Sequence, residues 1–155
     1  MKRVALMMVM ALTAATVFAQ WGTDVAQDMM TGRVTHYIFS KAQVTSGTIG
    51  EPFLMFIYTE ENGYGAVVNF GGYSIDRSRR TIDIRFGDDV EQMAVVVTSD
   101  RKGFMFRDPL ALMSRMVNHD EVPMQTSSAT GRRMLAMWSR DGFDEAVAWL
   151  TGHVE

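Results

Sequence analysis

The chain has 155 residues, no cysteine and a formal net charge of −3. Without cysteine it has no disulfide framework, no thiolate metal site and no thiol nucleophile. An acidic chain with dispersed basic residues is also a poor match for a phosphate backbone, so we expect no nucleic-acid partner.

The first twenty residues have the layout of a secretory signal peptide. Lys2 and Arg3 precede an apolar run from Val4 to Phe18, and the small residue Ala19 ends it. This arrangement is typical of a cleavable signal, whereas a membrane span needs roughly 20 apolar residues. The sequence predicts cleavage after residue 19, a periplasmic or secreted location, and no stable membrane insertion of the mature chain.

Residues 20–155 are the predicted mature chain, and their number is typical of one domain. The chain has only three prolines and no low-complexity stretch, so we expect a single β-rich domain. Without Lys2 and Arg3, 13 basic residues stand against 18 acidic ones, a formal net charge of −5.

Closely spaced turn residues separate segments rich in β-branched and aromatic residues, which is typical of mainly β proteins. Phe53–Thr59 is apolar at both alternating sets of positions, which predicts a central strand covered on two sides. Asn62-Gly63 then predicts a hairpin. Thr81–Phe86 alternates strictly and should have one dry and one wet face. The predicted strands are 21–26, 33–41, 53–59, 64–70, 81–86, 93–98, 104–107, 122–127 and 132–139.

Two short helices are predicted late in the chain. Asp108 precedes Pro109, which are preferred residues for an N-cap and a first helical position. Leu110, Met113 and Val117 follow at helical spacing. A second helix is predicted over 143–150. The predicted fold class is mainly β: a β-sandwich or a strongly bent antiparallel sheet with two short helices late in the chain.

Several of these segments, in this order, resemble one family of exported bacterial domains. They include Trp21, 28–32, 53–63, 69–73, 82–88, Ser99-Asp100 with Phe104 and Phe106, and the final helix with Trp149-Leu150. The order is similar to that of periplasmic accessory proteins associated with type VI secretion and of related uncharacterised exported proteins. Members often carry a cysteine at the end of the 53–59 strand and a tryptophan near Met93, and this chain has neither. The resemblance implies a binding or assembly domain.

Candidate catalytic and metal-binding groups lack a supporting motif. The three histidines, His36, His119 and His153, show no His-x-x-x-His spacing, and no serine lies in a Gly-x-Ser-x-Gly elbow. The carboxylate pairs 60–61 and 88–89 flank turns, and the preference of turns for such residues accounts for their presence. The methionine pairs 113/116 and 134/137 are better explained as core filling than as copper ligands. We therefore expect no catalytic residue, metal or cofactor.

One local basic cluster precedes the 81–86 strand. Arg77, Arg79 and Arg80 could bind a carboxylate-rich partner, an anionic glycan or lipid headgroups, or could simply protect a sheet edge from aggregation. In an extended segment Arg77 and Arg79 would share a face and Arg80 would point away. Asn69 and Tyr73 lie in a glycine- and aromatic-rich segment, a second candidate partner-binding surface, although such glycines also mark bulges.

The sequence favours an exported cell-envelope binding or assembly domain that acts on an envelope protein partner without catalysis. The alternative is a small periplasmic hydrolase, or an inhibitor of a cell-wall hydrolase. An enzyme should have a concave pocket with convergent polar groups and a perturbed carboxylate. A binding domain should instead have an exposed, flat or edge-strand surface.

Overall fold

Ten antiparallel strands form one curled sheet, a half-barrel, in the computed structural model, which describes residues 20–153. The predicted signal peptide lies outside these residues. The strands are β1 Gly22–Gln27, β2 Val34–Lys41, β3 Val44–Ser46, β4 Phe53–Thr59, β5 Gly63–Asn69, β6 Thr81–Phe86, β7 Asp89–Val97, β8 Gly103–Phe106, β9 Glu121–Ser127 and β10 Arg133–Ser139. The helices are α1 Pro109–Met116 and α2 Phe143–Thr151. The predicted fold class is confirmed in its second form, the strongly bent sheet.

The connection between β2 and β3 shows how strongly the sheet bends. The strand order is β1-β2-β4-β5-β8-β7-β6-β9-β10-β3, so β2 and β3 lie near opposite ends of the sheet. Only two residues separate them in the chain. Gln43 donates its backbone N–H to Met137 O at 2.8 Å, and Trp138 Nε1 donates to Ser40 O at 3.1 Å. These hydrogen bonds draw the two ends of the sheet together.

The core lies on the inner face of this curl. Leu54 and Phe56 of β4, Val68 of β5 and Ile84 of β6 are fully buried there. Both helices cover this inner face: Phe143 of α2 packs on Phe56 with ring centroids 5.7 Å apart, and the inward residues of α1 are buried. Neither described helix combines the length and the apolar content needed to cross a bilayer.

Local signals in the sequence account for most element ends. Asp108 Oδ1 accepts from Ala111 N at 3.0 Å, and Pro109 is the first residue of α1, so the predicted N-cap is confirmed. Gly63 has a φ of 68° in the β4–β5 turn, a conformation that glycine adopts without steric cost. β3 was not predicted, because its three residues pair with β10 alone and carry no hydrophobic alternation.

The prediction that β4 is covered on both sides is wrong for residues 20–153. Leu54 and Phe56 are buried on the inner face, as expected. Phe53, Met55 and Ile57 point to the outer face and are only half-buried. The described helices lie on the inner side, so the second apolar face of β4 remains open to solvent.

Candidate partner-docking face

A continuous row of apolar side chains crosses the outer face of the sheet. Phe39 lies opposite Met55, Met55 opposite Val67, Val67 opposite Met105, and Met105 opposite Val96. These five residues, from β2, β4, β5, β8 and β7, form what we call the outer row. Phe39, Val96 and Met105 are 39%, 42% and 51% exposed, and the other two are half-buried. The outer row is therefore accessible to a partner.

The row on one side of the outer row begins with Asp24, which accepts from Tyr37 Oη at 3.0 Å, and is apolar at β4. Tyr37 lies opposite Ile57, which lies opposite Gly65, so this second row ends in a residue without a side chain. A Cβ on Gly22 would meet the Phe39 ring at 2.9 Å, because that ring lies against the glycine. The glycines thus leave the apolar side chains of β2 and β4 unobstructed.

The middle of the outer face on β6, β7 and β9 is polar. Asp83 of β6 lies opposite Gln92 of β7 and also opposite Gln125 of β9. Such a polar outer face is normal where one side of an antiparallel sheet faces water. Apolar residues also occur on this half of the outer face, at Leu135 and Met137 of β10, Val44 of β3 and Val90 of β7, and Val44 and Val90 are 49% and 66% exposed. The outer row differs from them in being one unbroken line of apolar side chains across five strands.

A shallow depression lined by arginines adjoins the outer row at the end of β7. Its volume is about 470 Å³, and Arg77, Arg80 and Arg107 supply its basic groups. We call it the arginine depression. Val96 lines it too and is a member of the outer row, so the two features are continuous. Arg107 follows β8, and its N–H donates to Ala94 O of β7 at 3.1 Å.

A turn, rather than extended chain, brings Arg77 and Arg80 together. Asp76 Oδ1 accepts from the N–H and the hydroxyl of Ser78, both at 2.8 Å, and Asp76 O accepts from Arg79 N at 3.1 Å. The hydrogen bonds from Ser78 lower the pKa of Asp76. Arg80 Nη1 then donates to Arg77 O at 2.7 Å.

The predicted pairing of Arg77 with Arg79 on one face is therefore wrong. Residues three apart come together across this turn, whereas the prediction assumed alternation in an extended strand. Arg79 does not line the depression; it is half-buried, and its Nε has no hydrogen-bond partner among residues 20–153.

The three arginines of the depression lack carboxylate partners. Within residues 20–153, no Asp or Glu oxygen lies within 4.0 Å of their guanidinium nitrogens, whereas Arg33 and Arg140 are paired with Glu61 and Asp144. The nearby carboxylate of Asp100 accepts hydrogen bonds from Thr98 and Lys102, which lower its pKa. Within the described residues, the guanidinium groups of the depression are therefore not engaged in a direct ion pair.

Asn69 and Tyr73, the other predicted partner-binding residues, do not line the depression. Asn69 Oδ1 accepts from Gly71 N at 2.8 Å and so holds the turn after β5. Tyr73 is partly buried against the core, and the Arg132 guanidinium lies 4.8 Å from its ring centroid. Contacts within the fold therefore account for the presence of both side chains.

A second cleft joins residues that sequence analysis treated separately. Its volume is about 530 Å³, and it is lined by His36, His153, Tyr58, Asp28, Arg33, Glu60 and Glu61, among others. The rings of His36 and His153 lie 4.4 Å apart, and His153 Nδ1 lies 2.6 Å from Trp149 O. No set of three His, Asp or Glu side chains in the described part of the chain is placed to hold a metal ion.

The cleft offers little general-acid chemistry. Backbone N–H groups of Met30 and Thr31 donate to Asp28 and lower its pKa, the opposite of what an acid catalyst needs. Glu61 is paired with Arg33 at 2.9 Å. These carboxylates hold the two hairpin turns at the rim of the cleft.

No family model, no curated protein and no solved structure matches this chain. The resemblance to type VI secretion accessory proteins accordingly stays a prediction. The geometry of the outer face is the basis for the function proposed below.

Proposed function

We propose that this protein is an exported, non-catalytic binding domain of the cell envelope that docks a protein partner on the outer face of its sheet. The observation that carries the proposal is the outer row, which is apolar, accessible and uncovered within residues 20–153. Contiguous exposed apolar surface of this kind marks interaction sites on soluble proteins.

The shape of this surface suits a protein better than a small molecule. Adjacent strands lie about 4.8 Å apart, so the outer row extends roughly 19 Å across the sheet. Small ligands bind in concave sites that enclose most of their surface, and the outer row is an open sheet face. A row of this width matches the apolar centre of a protein interface, with polar residues at its rim.

The cellular setting is a further part of the proposal. The signal-like N-terminus favours a partner in the envelope or outside the cell. The resemblance to accessory proteins of type VI secretion supports a role in assembly. The hydrolase alternative has less support, because the carboxylates Asp28 and Glu61 in the polar cleft are engaged in structural contacts.

Site-specific photocrosslinking in living cells tests the docking face. A photoreactive amino acid replaces Met105 in the outer row, and in a second strain it replaces Val90. Val90 is a matched control: it is 66% exposed and lies on the same face of β7 as Val96, but opposite Arg85 and outside the outer row. We expect a discrete protein adduct at 105 and none at 90. Adding Val96→Asp should abolish the adduct.

Equal adduct yields at the two positions, or no adduct at 105, would remove the outer row as the docking face. Circular dichroism of each variant shows whether the fold is retained. Val96 is partly exposed, so we expect its substitution to leave the fold intact.

A further inference from the structure

We infer that the partner presents an acidic segment, whose carboxylates bind in the arginine depression while neighbouring apolar side chains pack on the outer row. This inference rests on the proposed docking face and adds the chemistry of its occupant. It assigns Arg107, with Arg77 and Arg80, as the residues that select the partner.

The charge arrangement is the first argument. Residues 20–155 contain 18 acidic and 13 basic residues, a formal net charge of −5. The three arginines nevertheless line one depression of about 470 Å³, and in the described part of the chain no carboxylate oxygen lies within 4.0 Å of their guanidinium nitrogens. Other arginines form ion pairs with carboxylates, as Arg115 does with Glu91. Like charges held together repel one another, and an anionic ligand removes that repulsion.

The arginines are also partly preorganised for an anion. Arg80 Nη1 donates to Arg77 O at 2.7 Å and to Arg79 O at 3.2 Å, which fixes the side chain across the turn. A side chain that is already ordered loses less conformational entropy on binding. Arginine also presents planar donors that match a carboxylate with two parallel hydrogen bonds.

Continuity with the outer row favours a protein carboxylate over free phosphate. Met105 of β8 and Arg107, which directly follows β8 and still donates its N–H to Ala94 O of β7, are two positions apart along the chain, which places their Cα atoms about 7 Å from each other. A ligand that uses both must carry an apolar group and an anion at that separation. A peptide does so with residues two apart in an extended strand, or four apart on a helix.

The surrounding charges argue against an anionic membrane as the occupant. Asp76 and Asp100 lie in the two loops that border the depression, and their hydrogen bonds lower both pKa values. Both carboxylates therefore stay ionised at neutral pH and repel a uniformly anionic bilayer. A discrete acidic segment can approach the arginines between them.

The test combines the photocrosslink at 105 with charge reversal. Arg77→Glu with Arg107→Glu should lower the adduct yield at least about tenfold, because charge-assisted hydrogen bonds are lost and repulsion replaces them. Arg133→Glu is the matched control, since this exposed arginine lies at the start of β10, outside the depression. Mass spectrometry of the adduct should find Asp or Glu two or four residues from the crosslinked position.

Purified residues 20–155 give a second readout by NMR titration. The probes are the peptide acetyl-Leu-Ser-Glu-Ser-Leu-amide, in which each Leu is two residues from the Glu, its Gln counterpart, inorganic phosphate, and phosphatidylglycerol vesicles. We expect the Glu peptide to shift the signals of Val96, Met105 and Arg107, and to bind at least about tenfold more tightly than the Gln peptide. High salt should weaken binding of the Glu peptide, because interactions between exposed charges are screened beyond about 10 Å at moderate ionic strength.

Each other outcome contradicts one of the two proposals. An adduct at 105 that survives the double charge reversal overturns the acidic segment and leaves the docking face intact. Binding of phosphate or vesicles, but not of the Glu peptide, reassigns the arginines to that ligand. Binding of the Glu peptide at the arginines with no adduct at 105 would instead overturn the proposed docking face.

Discussion

Asp108 shows how a single residue sets the start of a helix. Its Oδ1 accepts from Ala111 N at 3.0 Å, and it satisfies one of the amides that the first turn of α1 leaves without a partner. Asp108→Ala should lower the free energy of unfolding by about 1 kcal/mol, the typical cost of a lost N-cap. Urea midpoints of the two proteins measure this.

Asp88→Ala is the control for the N-cap variant. Asp88 is fully exposed, and its carboxylate lies 4.0 Å from Arg85, so its removal should change the midpoint little. Equal effects of the two substitutions would show that the hydrogen bond to Ala111 contributes nothing beyond loss of a surface charge.

At the scale of an element, an ion pair supports the beginning of α2. Arg140 donates to both carboxylate oxygens of Asp144, at 3.2 and 2.6 Å, which lowers the pKa of Asp144 and raises that of Arg140. Asp144 also lies in the first turn, where a negative charge favours the helix dipole. Because the pair is partly exposed, we expect Asp144→Asn to cost only about 0.5 kcal/mol at pH 7.

The pH dependence of this pair has a definite sign. The folded pKa of Asp144 lies below its ordinary value of 3.8, so the stabilisation is present above that value and is lost as the pH falls through the folded pKa. The difference in unfolding free energy between the natural chain and Asp144→Asn should therefore shrink in acid. Urea titrations at neutral pH and at about pH 3 test this; a constant difference would contradict it.

At the scale of the whole molecule, the predicted processing site fits the described fold. Trp21 is buried, packs on Phe143 with ring centroids 4.7 Å apart, and donates from Nε1 to Ser139 O at 2.8 Å. Gln20, one residue earlier, is exposed. Cleavage after Ala19 would therefore leave this buried anchor intact.

We expect the protein recovered from the cell envelope or the medium to begin at Gln20, with an intact mass that lacks residues 1–19. Mass spectrometry of the exported protein measures this directly. A recovered species that keeps the apolar N-terminus would contradict cleavage and favour a membrane anchor.

The sequence alone determined the elements whose signals are local. Strict alternation in Thr81–Phe86, the Asn62-Gly63 turn and the Asp108-Pro109 helix start each act within a few residues, and each is present in the structure. The bent-sheet class followed from the spacing of such signals. β3 escaped prediction because it depends on pairing with β10, far away in the chain.

Only the tertiary structure decided which surfaces come together and which stay open. Alternation shows that β4 has two apolar faces, but the positions of both helices on the inner side decide that one face remains uncovered. The 76–79 turn joins Arg77 to Arg80, and the pairing of β8 with β7 brings Arg107 beside them. These are contacts between distant segments, and the residues that make them carry no local signal of their partners.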